Sequence, residues 1–512
     1  MGKKRTSACE DERRVRASCV ERRRDVTVVI DAGGGTVKYG VAEDGATACA
    51  TAPHGVAKGK RTLGNKTSVL DEILTIDDVN GLVVRRPIDR GYVVNWELER
   101  EVFARACEAL NVDATACDLV ITEPAHALWA TKIALDELVF DDFGFRRVVV
   151  ATPAMLAKRA ADCAAGAKEA TTLARCGVVV DCGFSFAHAT AIWEGRTVVH
   201  GVRRLNLGGK SLTNFLKELV SYRQWNMMDE SVVIEDAKEK VCYVADDVME
   251  ELKKCKVKRG CEVTREYVLP DGIHVLRGYV RDTVGATKAS ATRETDDGES
   301  DDDDDDDDDE DFGAKGQKKK RAKAPEPKKP KMSDPTEVEH QFLTLTNERF
   351  MVPEALFRPS DIGLQQCGVP ELVTQAVEIE ELADTQRALC YLDVILVGGC
   401  TLFPNFVERF ERELRSLVSQ RNMIRVRRLE DPIKAAWLGG LDLALDRKFY
   451  LANALTREEY MANKNAIRES HQSFEITPST RTGRLLEYAA EPEMPSAEHI
   501  AAEAARLTPR VV

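Results

Sequence analysis

Three short stretches carry residue types whose spacing could serve phosphate chemistry. The first is 31–38, DAGGGTVK. Val26, Val28, Val29 and Ile30 make an apolar, β-branched run, which predicts a buried strand ending at Asp31. Gly33, Gly34 and Gly35 permit a turn at positive φ with no side chain in the way. A bare glycine backbone presents N–H groups that can cradle phosphate oxygens. Lys38 adds a point positive charge, and Asp31 could hold a metal-bound water. An ordinary hairpin with a glycine turn fits this stretch about as well. The dinucleotide fingerprint fails because its last glycine is replaced by Lys38, and the P-loop fails because no Gly-Lys-Ser/Thr follows.

The second stretch, 178–192, reads VVVDCGFSFAHATAI. It repeats the first in outline: apolar strand, Asp181, small residues including Gly183, then another strand. Two strand–Asp–Gly hairpins imply two similar lobes, each offering a loop to the same phosphates. The third stretch, VILVGG at 394–399, is a strand running into Gly398 and Gly399, before a helix with Phe406, Phe410, Leu414 and Leu417 on one face. A strand–Gly-Gly–helix junction would aim backbone N–H groups and a helix N-terminus at an anion. A plain strand-to-helix turn reads the same way locally.

These stretches sit in a chain of 512 residues, long enough for two or more domains. Hydrophobic residues make up 43 %, as in an ordinary globular protein, and the net charge of −13 argues against generic nucleic-acid binding. The 14 cysteines are scattered without a CxxC pair, which predicts free, mostly buried thiols in a reducing compartment. The 8 histidines form no ligand-spaced cluster, so neither zinc nor haem is expected. No apolar run reaches membrane-spanning length, and no membrane partner is expected. The first six residues match the N-myristoylation pattern, although a solvated basic tail fits better.

The elements that must position the three stretches follow in order. Residues 1–24 read as a disordered basic N-terminus, and 25–284 as the first part of the core. Within it, 51–80 carry few large apolar groups and predict an exposed, variable segment. A helix runs through Leu98, Val102, Phe103 and Ala106, and a buried strand follows at 118–122. Another helix runs through Leu128, Leu135, Leu138 and Val139, and a strand at 148–150 leads to Pro153 and an alanine-rich helix. LNLGGKSLTNFLKELV at 205–220 predicts a glycine turn into a helix capped by Ser211. A further helix spans 232–244, with Lys238 and Glu239 on its polar side, where a solvated face is the default reading. Residues 285–338 are an acidic–basic insertion: 301–331 alone hold 12 acids and 9 bases, too polar to fold. Order returns in 339–455 through a loop-rich stretch at 347–363 and a helix at 372–382. Residues 456–512 read as a loosely ordered tail.

Taken together and in this order, the motifs resemble the actin family. Asp31, Gly33, Gly34, Gly35 and Lys38 look like its first phosphate loop; Asp181 and Gly183 look like its second. Lys238 and Glu239, within KEKVCYV, fall on the adenine-side pair. Gly398, Gly399, Cys400 and Phe403 look like the glycine turn under the nucleotide. Residues 87–96 and WLGG at 437–440 match as well. The resemblance implies an α/β, actin-like two-lobed fold of the actin, sugar-kinase and heat-shock ATPase superfold. It also implies ATP or ADP with magnesium, the metal held through water by Asp31 and Asp181. Within the family, SYRQ at 221–224, MDE at 228–230, YVLPDG at 267–272 and the pattern across 347–363 resemble the subtype-6 branch of the actin-related proteins. That branch implies a nuclear, non-catalytic scaffold subunit of a Swr/SRCAP-type chromatin remodeller. Such subunits help a separate motor ATPase install a variant histone dimer.

Two departures bear on mechanism. Where actin has an aspartate after the first glycine of the second loop, this chain has Phe184; where actin has a glutamine near the attacking water, it has Pro153. Neither side chain can orient water, and phosphoryl transfer depends on such positioning. The expectation is a protein without ATPase activity and without homo-filaments, with no catalytic residues and with His188 structural. The acidic run could attract histone dimers and the basic run could direct nuclear import, although a solvated spacer fits equally. The competing readings are an ATP-hydrolysing, filament-forming cytoskeletal actin relative and a metabolic kinase on the same superfold.

Overall fold

The computed structural model describes residues 22–43, 48–58, 67–165, 176–256, 261–281, 340–472 and Arg484. Their architecture is a duplicated sheet. The main strands of the first sheet are β1 (Thr27–Ala32), β2 (Thr36–Ala42), β3 (Ala50–Pro53), β4 (Asp118–Thr122) and β5 (Arg147–Ala151). They lie in the order β3-β2-β1-β4-β5, with a short strand, Leu455–Thr456, beyond β5. The second set is β6 (Gly177–Cys182), β7 (Ala187–Trp193), β8 (Arg196–Leu205), β9 (Val394–Val397) and β10 (Val426–Arg428). They lie in the order β8-β7-β6-β9-β10. In each sheet three antiparallel strands are followed by two parallel ones. Parallel strands need helical crossovers, so both faces become covered and β1, β4, β6 and β9 read as continuous apolar runs.

Two helices fill the space between the sheets, Pro153–Ala164 and Ala435–Leu445. They approach closely because the contact residues are small: a Cβ on Gly439 would overlap the Leu156 carbonyl. Trp437 is fully buried beneath β1 and donates its indole N–H to the Val29 carbonyl at 3.1 Å. One core cluster therefore joins Val29, Val120, Leu156 and Trp437 to the first sheet. A neighbouring cluster joins Ala154, Ala157, Ala161 and Ala435 to Val179 and Ile395 of the second. Lys158 adds a buried ion pair to Asp393, 3.0 Å away.

Several expected elements come out differently. The described residues of 51–80 are not the exposed segment expected. The segment holds β3 and two short strands, Val56–Lys58 and Ser68–Val69, and it buries Ile73, Ile76 and Val79. Their spacing of three places them on one side of a compact turn, where they reach the opposite lobe. Gly81 donates its N–H to Glu230 at 2.7 Å, Arg277 donates to the Ile76 carbonyl at 3.1 Å, and Val79 joins the second lobe's core. The predicted cap at Ser211 is displaced, because Gly208 caps a helix that begins at Gly209. The helix expected at 372–382 is Val369–Val377, started by Pro370. The stretch 347–363 contains a helix, Glu348–Glu354, and the tail begins with a docked helix, Arg457–Gln472. Tyr460 of that helix stacks on Phe140 at 4.6 Å, and Arg484 pairs with Glu123 and Asp136, each at 3.0 Å. Most of residues 1–24 and the whole of 285–338 lie outside the described residues.

Candidate functional site

The duplicated hairpins face each other across a cleft of about 580 Å³, within the range of small-molecule sites. Asp31 is the last residue but one of β1 and is paired across the ladder with Lys38 of β2. Lys38 Nζ lies 3.3 Å from one Asp31 oxygen, and Thr122 at the end of β4 donates to the other at 3.0 Å. The carboxylate is therefore held at fixed orientation at the cleft floor. In the second lobe Asp181 ends β6 and is paired with His188 of β7. Protein packing around Asp181 pushes its carboxyl up to about 6; Lys38 opposes the shift and Asp31 adds to it. Burial pulls His188 down to about 3, and Arg204 and His126 reinforce it, so the ring is neutral.

The first turn is pinned from behind. The ring nitrogens of His54 lie 2.7 Å from the Gly33 carbonyl and 2.8 Å from the Glu99 carboxylate, and both side chains are buried. Arg86 donates to the Gly35 carbonyl, and its guanidinium lies 4.5 Å over the Phe184 ring. Burial lowers the pKa of Arg86, partly offset by Glu235. The second turn is held by Gly209 and Lys210, whose N–H groups donate to the Gly183 and Phe184 carbonyls at 3.0 and 2.8 Å.

The third turn follows β9. Gly398 has φ +89°, and a Cβ there would lie 2.6 Å from an Asp181 oxygen, so only glycine suits the position. A Cβ on Gly399 would meet nothing within 4 Å, which leaves its backbone open to the cleft. The junction is not a direct strand-to-helix turn: a short 3-10 helix, Gly399–Leu402, intervenes, and the long helix starts at Phe406. Cys400 hydrogen-bonds to the Gly183 carbonyl at 3.4 Å, and burial raises its thiol to about 11. Lys238 is buried, donating to the Gly209 carbonyl at 3.1 Å and to Thr213 at 2.9 Å, while Glu239 stays exposed at the rim.

All the residues singled out from the sequence line this one cleft: Asp31, Gly33, Gly34, Gly35, Lys38, Asp181, Gly183, Lys238, Glu239, Gly398, Gly399, Cys400 and Phe403. Pro153 and Phe184 line it too. Sequence reading missed His54, Glu99, Arg86 and Thr122. Thr122 carried a signal, since it ends a buried strand parallel to β1. His54 and Glu99 carried none, being 45 residues apart on different elements.

A cradle of this kind fits a nucleotide. The three turns line one cleft and Gly399 leaves room for close approach, while the Gly183 and Gly398 N–H groups already donate to the Phe186 and Pro432 carbonyls, at 3.1 and 2.9 Å. Charged lining groups nearly balance: Lys38, Arg86, Lys238 and Arg277 against Asp31, Asp181, Glu235, Asp236 and Glu239. A polyphosphate would therefore need a cation beside it, and Asp31 and Asp181 are the carboxylates placed to receive one.

Comparison with known proteins points in one direction. The model of the actin family matches residues 23–470. The chain is 40 % identical over 436 residues to a rice (Oryza sativa subsp. japonica) protein named Actin-related protein 6, covering 85 % of this chain and 95 % of that one. An Arabidopsis thaliana protein of the same name is 35 % identical over 443 residues, with coverage of 85 % and 96 %. A protein of Emericella nidulans named Actin-like protein arp6 is 34 % identical over 482 residues, covering 85 % and 92 %.

Proposed function

The chain belongs to the actin family, and from that premise we propose that it is a non-catalytic, nucleotide-binding scaffold subunit of a nuclear Swr/SRCAP-type chromatin remodeller. The relatives named Actin-related protein 6 support the choice of branch. One observation carries the non-catalytic part. Phe184 and Pro153 stand in the cleft where water would have to be oriented, and neither offers a hydrogen-bonding side chain there.

The turns at Gly33–Gly35, Gly183 and Gly398–Gly399 would hold the phosphates, with Lys38 as the positive charge. Lys238, Glu239 and Phe403 would flank the base, and Asp31 and Asp181 would take magnesium through water. The bound nucleotide would supply cross-lobe contacts: each lobe contributes a turn, so one ligand can tie both together. The remodeller's separate motor ATPase would then perform the work, while this chain positions partners and supports histone-variant exchange. In this reading the acidic run 296–311 contacts histone dimers and the basic run 318–331 serves nuclear import.

Steady-state ATP turnover by the purified chain is expected at background. Turnover abolished by Asp181→Ala would overturn the non-catalytic reading. Tagged protein purified from nuclear extract is expected to retain a motor ATPase and a variant histone; recovery as long homopolymers instead would revive the filament reading.

A further inference from the structure

Building on the nucleotide reading of the cleft, we propose that Phe184 and Arg86 make it a nucleoside diphosphate site that discriminates against the triphosphate. The first and second turns are where a terminal phosphate would lie, because each lobe offers one turn to the same end of the chain. Those turns touch. A Cβ on Gly34 would overlap the Ser185 hydroxyl, and a Cβ on Gly35 would sit 2.8 Å from Phe184 Cγ and 2.9 Å from its Cβ. On this side the two turns are in van der Waals contact, which leaves no gap for a phosphoryl group between Gly35 and Phe184.

The contact is locked from both sides. The Phe184 carbonyl accepts from Lys210 N–H at 2.8 Å, and a Cβ on Gly208 would lie 2.6 Å from Phe186 N, so the second turn cannot retreat without moving the helix behind it. Arg86 covers the other side, stacked 4.5 Å over Phe184 and bonded to the Gly35 carbonyl. A cation on an aromatic face is worth more when desolvated, and Arg86 is half-buried. Further into the cleft the geometry opens. Nothing approaches within 4 Å of a Cβ on Gly399, and one on Gly183 would meet its first neighbour at 3.5 Å. In this proposal the two phosphates of a diphosphate take that open part beside Lys38, and a third would meet Phe184.

Calorimetric titration of the full chain with ADP and with the β,γ-imido analogue of ATP, both with magnesium, tests this. ADP should bind about tenfold more tightly, a discrimination typical of steric exclusion at one group. Phe184→Ala should bring the two affinities to within about threefold, chiefly by strengthening the analogue. Phe184→Leu, which keeps more of the packing, serves if the alanine variant misfolds. Equal or tighter binding of the analogue by the wild type overturns the proposal, as does a preference that survives both substitutions. Analogue binding that depends on Arg86, lost in Arg86→Ala, would also overturn it by making Arg86 a phosphate ligand. If neither nucleotide binds, the nucleotide reading itself falls; if both bind alike, only the discrimination does.

Discussion

The two facing hairpins have the same register and different chemistry. Asp31 stands opposite Lys38 in the first, and Asp181 opposite His188 in the second. The first is an ion-paired glycine turn, buttressed from behind by His54 and Glu99. The second is aromatic: Phe184 lies under Arg86, and Phe186 packs at a tilt against a neutral His188, centroids 4.2 Å apart, with Arg204 over its ring. A duplicated topology fixes where two loops meet but leaves each free to specialise. Here one carries an ion pair beside its glycines, and the other presents an aromatic packing surface that narrows the space between them.

The comparison can be broken most severely at the buttress. Glu99→Ala leaves buried His54 without its carboxylate and should destabilise the fold by about 3–4 kcal/mol, read by urea unfolding. A loss below about 1 kcal/mol would mean the first turn holds itself.

Acid should expose the second hairpin. His188 titrates near 3 in the fold against an ordinary 6.5, so its contribution to stability is full above pH 6.5 and lost as pH falls toward 3. His188→Gln should therefore gain about 3 kcal/mol relative to the wild type between pH 6.5 and 4. Parallel stability curves for the two proteins would remove His188 as the titrating group.

Asp181 has the opposite sign. Its carboxyl titrates near 6 against 3.8, so the folded state holds the proton more tightly, and that stabilisation is lost as pH rises from 3.8 through 6. Asp181→Asn should gain about 2–3 kcal/mol relative to the wild type across this interval. Magnesium with ADP should shrink the difference at pH 7, since a cation favours the carboxylate.

The third turn sharpens the contrast with the smallest effect. Gly399→Ala should change stability by less than about 0.5 kcal/mol, because its methyl enters open space, yet weaken ADP binding. Gly398→Ala, at φ +89° against Asp181, should cost more than about 2 kcal/mol. Equal costs at the two positions would show that the cleft floor is not as drawn.

Much of the fold was legible locally. β-branched runs ending in Asp and Gly marked β1 and β6, and the alanine-rich stretch after Pro153 marked the helix between the lobes. Motif order placed every candidate residue in one cleft. Elements whose partners lie far along the chain were misread. Residues 51–80 looked polar because their apolar groups are sparse, but Ile73, Ile76 and Val79 need only one face to bridge the lobes. The helix Arg457–Gln472 looked loose because Tyr460 and Ile467 are its only buried residues, and Phe140 supplies the packing.

The sequence by itself determined the duplicated strand–Asp–Gly pattern, the three glycine turns, and the replacement of two polar cleft positions by Phe184 and Pro153. These follow from residue identity and short-range backbone preference. Only the tertiary structure decided that His54 and Glu99 brace the first turn, that Arg86 stacks on Phe184, and that the two turns touch. Such contacts join residues from separate elements, and local periodicity carries no information about which side chains meet across a cleft.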